Sequence, residues 1–281
     1  MVGIVDVGGG LRGVYGAGVF DRCLEENISF DYFIGVSAGS ANVAAFLAGQ
    51  KERNLKFYTE YSFRKAYMGF GNLLKRGSYI DLEYVYGDAL SNSGGENPLD
   101  YDAMMAQKDK IVKIVATDAV MGRPVYFDLH DMGRDDYGAI KASSCVPVIN
   151  KAYRWKGRAY YDGGMSDPIP FQKAFDAGCD RVVVILTRPR DYYRDPKKDR
   201  RMAKCLRRYP NSAQALANRA DTYNRELRQA EEYAKAGKLL IVAPDEISGM
   251  GTLTKNREAI LTMYAKGKRD AQAIPAFCAG N

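Results

Sequence analysis

The 281-residue chain is 46% hydrophobic and 27% charged, the balance of an ordinary soluble globular protein with enough length to bury a large core. Its five cysteines are widely spaced without a Cys-x-x-Cys pair, and it has a single histidine, which excludes a disulfide scaffold and the His-rich or Cys-rich metal sites. The net charge of +7 is concentrated: between Arg188 and Arg208 ten Lys or Arg accompany three Asp, and the remainder of the chain is neutral.

The amino terminus shows no basic leader, long apolar core or small-residue cleavage site, so the chain reads as cytoplasmic. The longest nearly apolar run, residues 36–49, is too short and too rich in Gly and Ser to cross a bilayer, which takes ~20 apolar residues. Any membrane contact is therefore expected to be peripheral.

Residues 2–7, Val-Gly-Ile-Val-Asp-Val, read as a buried strand that ends at Gly8-Gly9-Gly10. Tyr15, Val19, Phe20, Cys23 and Leu24 then recur at helical spacing. Residues 30–36 read as a second strand and 40–48 as a small-residue helix. Strand, glycine turn and helix, used twice in succession, predict a parallel sheet with helices on its faces. Residues 52–105 are aromatic and mixed, with helices, loops and an exposed turn over 91–98. Strands are predicted over 111–117, 123–129 and 181–187, and a hairpin over 153–161 turns at Lys156-Gly157 and delivers Asp162. A long helix over 211–235, a short strand over 239–243 and a helical stretch over 254–273, interrupted near Gly267, complete the order.

Three motifs carry chemistry. Gly35-Val36-Ser37-Ala38-Gly39 lies between a predicted strand and a predicted helix, where small neighbours permit a sharp turn with an exposed hydroxyl. As a bare pentapeptide it also fits a packed turn. Gly8-Gly9-Gly10-Leu11-Arg12-Gly13 can aim several amides into one concavity as an oxyanion hole, and it equally satisfies the Gly-x-Gly-x-x-Gly dinucleotide fingerprint. The fingerprint expects an acidic residue after the second strand, where this chain has Ser37. Asp162-Gly163-Gly164 alone is a common turn. A serine needs a base at neutral pH. His130, with Asp118 or Asp128, would match the order of α/β-hydrolases, but it sits in a polar loop and Ser37 follows only the second strand. Without imidazole a carboxylate must take the proton, and Asp162 is the candidate by motif.

Taken in order, Asp6-Val7-Gly8-Gly9-Gly10-Leu11-Arg12-Gly13, the Ser37 pentapeptide, Ala142-Ser143-Ser144-Cys145-Val146-Pro147 and Asp162-Gly163-Gly164 resemble the patatin-like phospholipases. The resemblance implies a three-layer α/β/α fold with a mainly parallel sheet and a helix-rich carboxy-terminal extension. It implies acyl ester hydrolysis by a Ser37–Asp162 dyad without metal or other cofactor. Gly8, Gly9, Gly10 and Arg12 would form the oxyanion hole. Residues 1–175 would form the catalytic core, with 176–281 completing the sheet. The segment from Tyr264 to Ala271 resembles the extension of a bacterial subgroup and has no chemical assignment.

The expected partner is an acyl lipid or ester, and the basic run from Arg188 to Arg208, with Tyr192 and Tyr193, is expected to touch an anionic membrane peripherally. No nucleic-acid module accompanies it. A nucleotide-binding protein using residues 8–13 and a non-catalytic lipid-binding relative are the competing readings.

Overall fold

The computed structural model describes residues 1–247 and 249–280. Strands β1 (Val2–Asp6), β2 (Tyr32–Val36), β3 (Ile111–Asp118), β4 (Pro124–Phe127), β5 (Tyr153–Trp155), β6 (Arg158–Asp162), β7 (Arg181–Ile185) and β8 (Leu239–Val242) form one eight-stranded sheet. Its order is β5-β6-β3-β2-β1-β7-β8, with β4 also paired to β3. The β1–β2, β2–β3, β1–β7 and β7–β8 pairs are parallel, and those joining β3, β4, β5 and β6 are antiparallel.

Alternating strand side chains feed two separate cores. Ile4, Phe33, Ile114 and Val183 pack on one face with Val14, Val19 and Phe20 of helix α1 (Val14–Glu25). Val5, Ile34, Val115 and Val184 pack on the other with Phe171, Tyr223 and Leu227. Near-continuous apolar strands are what a sheet covered on both faces requires, and the result is the expected three-layer α/β/α architecture. Among the described residues no helix is long and apolar enough to cross a membrane.

One expectation is overturned. The carboxy-terminal helix Arg257–Asp270 runs unbroken through Gly267. That glycine is selected by packing: a Cβ on it would lie 2.1 Å from the Tyr15 carbonyl oxygen, and one on Gly18 would lie 2.2 Å from that of Tyr264. Two helices thus touch backbone to backbone, and reciprocal bonds lock them, from the Tyr15 hydroxyl to Asp270 at 2.8 Å and from the Tyr264 hydroxyl to Asp21 at 2.7 Å. The segment from Tyr264 to Ala271 therefore clamps α1, the helix that follows the glycine loop.

Gly267→Ala should lower the unfolding free energy by about 2 kcal/mol, because overpacking against backbone exceeds the ~1 kcal/mol gained in helix propensity. Gly71→Ala is the control, since nothing lies within 4 Å of its Cβ position. Chemical denaturation should show the first destabilised and the second unchanged or stabilised. Equal behaviour of the two would contradict this account of Gly267.

Candidate active site

β1 pairs on one side with β2 and on the other with β7, so the crevice beyond its carboxyl end is where a doubly wound sheet receives ligands. Three segments leave the sheet there. The glycine loop follows β1, Ser37 follows β2, and Thr187 and Arg188 follow β7.

Ser37 has φ 56 and ψ −128 and caps helix α2 (Ala38–Leu47). A side chain in that region is strained and needs its surroundings to hold it. Gly35 and Gly39 make the turn possible: a Cβ on Gly39 would lie 2.2 Å from the Asp6 carbonyl oxygen, and one on Gly35 would lie 2.4 Å from the Ser40 Cα. Ser143, on the helix Gly138–Ser143, fixes the strained turn. Its Oγ accepts from the Ser37 amide at 2.8 Å and donates to the Val115 carbonyl at 2.6 Å. The hydroxyl stands in for the missing ladder bond where β2 bends away from β3.

Sheet register brings Asp162 to the same level. Val36 is opposite Val115 on β3, and the next residue of β3, Ala116, is opposite Asp162 on β6. Along its opposite edge β3 pairs with β4 at both Val115 and Ala116, so β2 and β6 share one edge of β3, and Asp162 takes the place opposite Ala116 that Ser37 leaves where β2 ends. The Asp162 backbone is held from both directions, its amide donating to the Cys145 carbonyl at 2.8 Å and its carbonyl accepting from the Thr117 hydroxyl at 2.8 Å. Its carboxylate accepts from the Gly164 amide at 2.8 Å. Burial of that carboxyl raises its pKa above the ordinary aspartate value, partly offset by the Ser37 hydroxyl, the Gly164 amide and the charges of Arg219 and Arg194.

Gly8, Gly9 and Gly10 have φ of 64, 134 and 63, conformations that only glycine adopts cheaply in succession. Their amides are not equivalent. The Gly8 amide donates to the Asp6 carboxylate at 2.8 Å, and the Gly8 carbonyl accepts from the Thr187 hydroxyl at 2.5 Å. Among the described residues nothing accepts from the amides of Gly9 and Gly10. The expectation that all three glycines offer donors is thus narrowed to two of them, with Gly8 held as a bracket. Asp6 is fully buried, accepts also from the Asn42 amide at 2.8 Å, and is pushed up to about 6 by burial.

Thr252 closes the loop from outside. Its carbonyl accepts from the Leu11 amide at 2.9 Å, and a Cβ on Gly10 would lie 2.4 Å from that oxygen. A dinucleotide pyrophosphate would need this approach to the start of α1, so the occupied space counts against the nucleotide reading. His130 is exposed on a short 3-10 helix beyond β4 and lines neither cavity described below. Asp128 pairs with Lys113, and Asp118 accepts from the amides of Val120 and Met121. The members of the α/β-hydrolase alternative are therefore placed elsewhere.

Two cavities meet at Ser37. One is narrow, about 50 Å³, and its wall includes Phe57, Tyr67, Ile80, Leu82 and Val85. The other, about 520 Å³, contains Asp162 and Gly8–Gly10 and is lined by Arg12, Arg188, Arg194, Lys198 and Arg219. Three of these cations lie in the basic run expected to face a membrane, so part of that charge belongs to the site instead.

Ser143→Ala would leave the buried amide of Ser37 and the carbonyl of Val115 without a partner. Each such group costs about 1–3 kcal/mol, and the variant should lose about 2 kcal/mol or more in denaturant unfolding; a loss below about 0.5 kcal/mol would show that Ser143 does not brace the turn. Asp6 supplies a pH test. Its folded pKa is raised from 3.8 to about 6, so its contribution is complete below the unfolded value and lost as pH rises through the folded one. The stability of wild type relative to Asp6→Asn should fall by about 3 kcal/mol between about pH 4 and pH 7. A difference independent of pH would refute the assignment.

The family model described as "Patatin-like phospholipase" matches residues 7–175, and a "Domain of unknown function (DUF6363)" matches residues 209–275. The chain is 29% identical over 246 residues to "Uncharacterized protein YjjU" of Escherichia coli (strain K12), covering 85% of this chain and 67% of that protein. The crystal structure of VipD from Legionella pneumophila aligns with a TM-score of 0.46 and 13% identity, over 97% of this chain and 66% of that one. With well over half of its residues matched by the first of these models, the chain belongs to the patatin-like phospholipase family.

Proposed function

We propose that this protein is a serine acyl hydrolase that cleaves carboxylic esters of lipids through a covalent acyl-enzyme. The observation that carries the reading is the placement of a strained Ser37 and a carboxylate of raised pKa, Asp162, side by side along one edge of β3, where a narrow, mostly apolar channel meets a wider, cation-lined cavity.

In the proposed cycle Ser37 Oγ attacks the ester carbonyl carbon while its proton passes to the Asp162 carboxylate. The amides of Gly9 and Gly10 take the oxyanion, with the amino terminus of α2 behind the reacting serine. Collapse breaks the carbon–oxygen bond to the alcohol, which leaves with the proton from Asp162. Water then repeats the sequence on the acyl-enzyme and releases the fatty acid. The apolar channel suits the acyl chain and the wider cavity suits the alcohol. A raised pKa makes Asp162 a better base than a free aspartate, whose pKa is ~3.9.

Ser37→Ala should abolish both fluorophosphonate labelling and ester hydrolysis. Asp162→Asn should lower kcat by roughly 10²- to 10⁴-fold, as for loss of a general base. Because the base acts ionised, kcat/KM should fall as pH drops through a value above the ordinary carboxylate range, and Asp162→Asn should remove that limb. His130→Ala should remain active; its inactivity would restore the imidazole mechanism and sink the dyad.

A further inference from the structure

The wider cavity holds a charge arrangement that ester cleavage alone does not require. Arg12 is only 5% exposed, and among the described residues its sole polar partner is the Thr252 hydroxyl at 3.1 Å, with no carboxylate in reach. Arg188 has neither a hydrogen bond nor an ion pair among the described residues; its guanidinium lies 4.0 Å from the centre of the Tyr192 ring. Arg194 and Arg219 share Asp199, which is almost wholly buried. The Nε atoms of Arg12, Arg188 and Arg194 are all shut from solvent without an acceptor. Five cations thus line the cavity, and even with Asp199 behind Arg194 and Arg219 counted beside the lining carboxylate Asp162 they leave an excess of three positive charges among the described residues.

Such groups repel one another. Burial, then the charges of Arg188 and Arg194, push Arg12 down to about 10. Burial and the neighbouring Arg219 likewise lower Arg194. Guanidinium forks gathered around one space with more donors than acceptors match a tetrahedral dianion, which supplies several oxygens and relieves the repulsion. A choline-type headgroup is disfavoured there: among the described residues Asp162 is the only carboxylate in the lining, and the rings of Tyr192 and Tyr223 are already faced by Arg188 and Arg194.

We propose that the wall formed by Arg12, Arg188 and Arg194 is a recognition site for a terminal phosphate monoester on the alcohol portion of the substrate, so that the protein selects acyl esters of phosphorylated polyols over choline-bearing and uncharged lipids. This rests on the serine-hydrolase reading for the reaction but not for the anion site itself. Ser37 at the junction of the two cavities gives the order of parts: acyl chain in the channel, ester at Ser37, phosphate among the arginines.

The test uses the full chain and three monomeric substrates with the same decanoyl chain: 1-acyl-glycerol 3-phosphate, the corresponding glycerophosphocholine and the monoacylglycerol. Wild type should favour the first over each of the others by about tenfold or more in kcat/KM, the scale of one charge-assisted contact. Arg188→Gln should reduce that preference by about tenfold, and Arg188→Lys should restore part of it. If Arg188→Gln is not folded at assay temperature, the exposed Lys198→Gln carries the test with a smaller loss of preference. In parallel, calorimetric titration of Ser37→Ala with glycerol 3-phosphate should show saturable binding, weakened by adding Arg188→Gln, and glycerol should not bind. Equal cleavage of the three esters would overturn the substrate assignment, and phosphate-dependent binding alongside it would mark a free-phosphate ligand. Absence of binding by glycerol 3-phosphate and inorganic phosphate would overturn the site altogether. Binding without any labelling or hydrolysis would support the anion site while removing the hydrolase reading.

Discussion

The Ser143 hydroxyl, bonded at once to the Ser37 amide and the Val115 carbonyl, is the contact on which the site depends. Ser37 occupies a backbone region that costs of order 1–3 kcal/mol for a residue with a side chain. It cannot also keep its ladder bond to β3. One inserted hydroxyl satisfies both orphaned groups and pins the turn to β3, the strand whose same edge, one residue further on, carries Asp162. The spacing of Ser37 and Asp162 is therefore a property of sheet register and of one bridging serine, not of a flexible loop.

A second constraint is the buried carboxylate of Asp6. It collects the Gly8 amide and the Asn42 side chain, and Asn42 in turn bonds the Gly13 carbonyl and accepts from Asn54. Burying a charged or protonatable group here is costly, and burial raises its pKa to about 6. What the cost secures is a glycine loop with one amide committed and the next two left without a protein acceptor. Thr187, just after β7, and Thr252 from the carboxy-terminal part press on the same loop, so residues outside the matched 7–175 core shape it.

Much of this was legible in the sequence. The strand–glycine–helix order around residues 8–13 and 35–39 announces itself because small residues and β-branched runs have strong local meaning. The hairpin at Lys156-Gly157 likewise gives away where Asp162 emerges. What stays hidden depends on partners distant in the chain. Gly267 looks like a helix breaker until Tyr15 is seen across from it. The Gly8 amide looks free until Asp6, two residues earlier, is seen to turn back on it. The basic run is read as one surface because a local count has no direction. Its first member, Arg188, follows directly after a parallel strand, and the carboxyl edge of such a sheet is where ligands bind; that position was the available signal.

The same arginines also bear on Asp162, the proposed base. Burial drives Asp162 toward its neutral form, and Arg219 and Arg194 pull it back toward the carboxylate. Asp199, behind them, has its own burial outweighed by those two arginines and stays below the ordinary range, so it remains a fixed negative charge that tempers their pull. The proton affinity of Asp162 is therefore set by the balance of charge in the wider cavity. Any anion lodged among the guanidinium groups weakens their hold and makes Asp162 a stronger base, which in the proposed cycle is the acceptor of the Ser37 proton. In the proposed reaction, anion recognition and the proton affinity of Asp162 share one set of charges, and neither can be altered without moving the other.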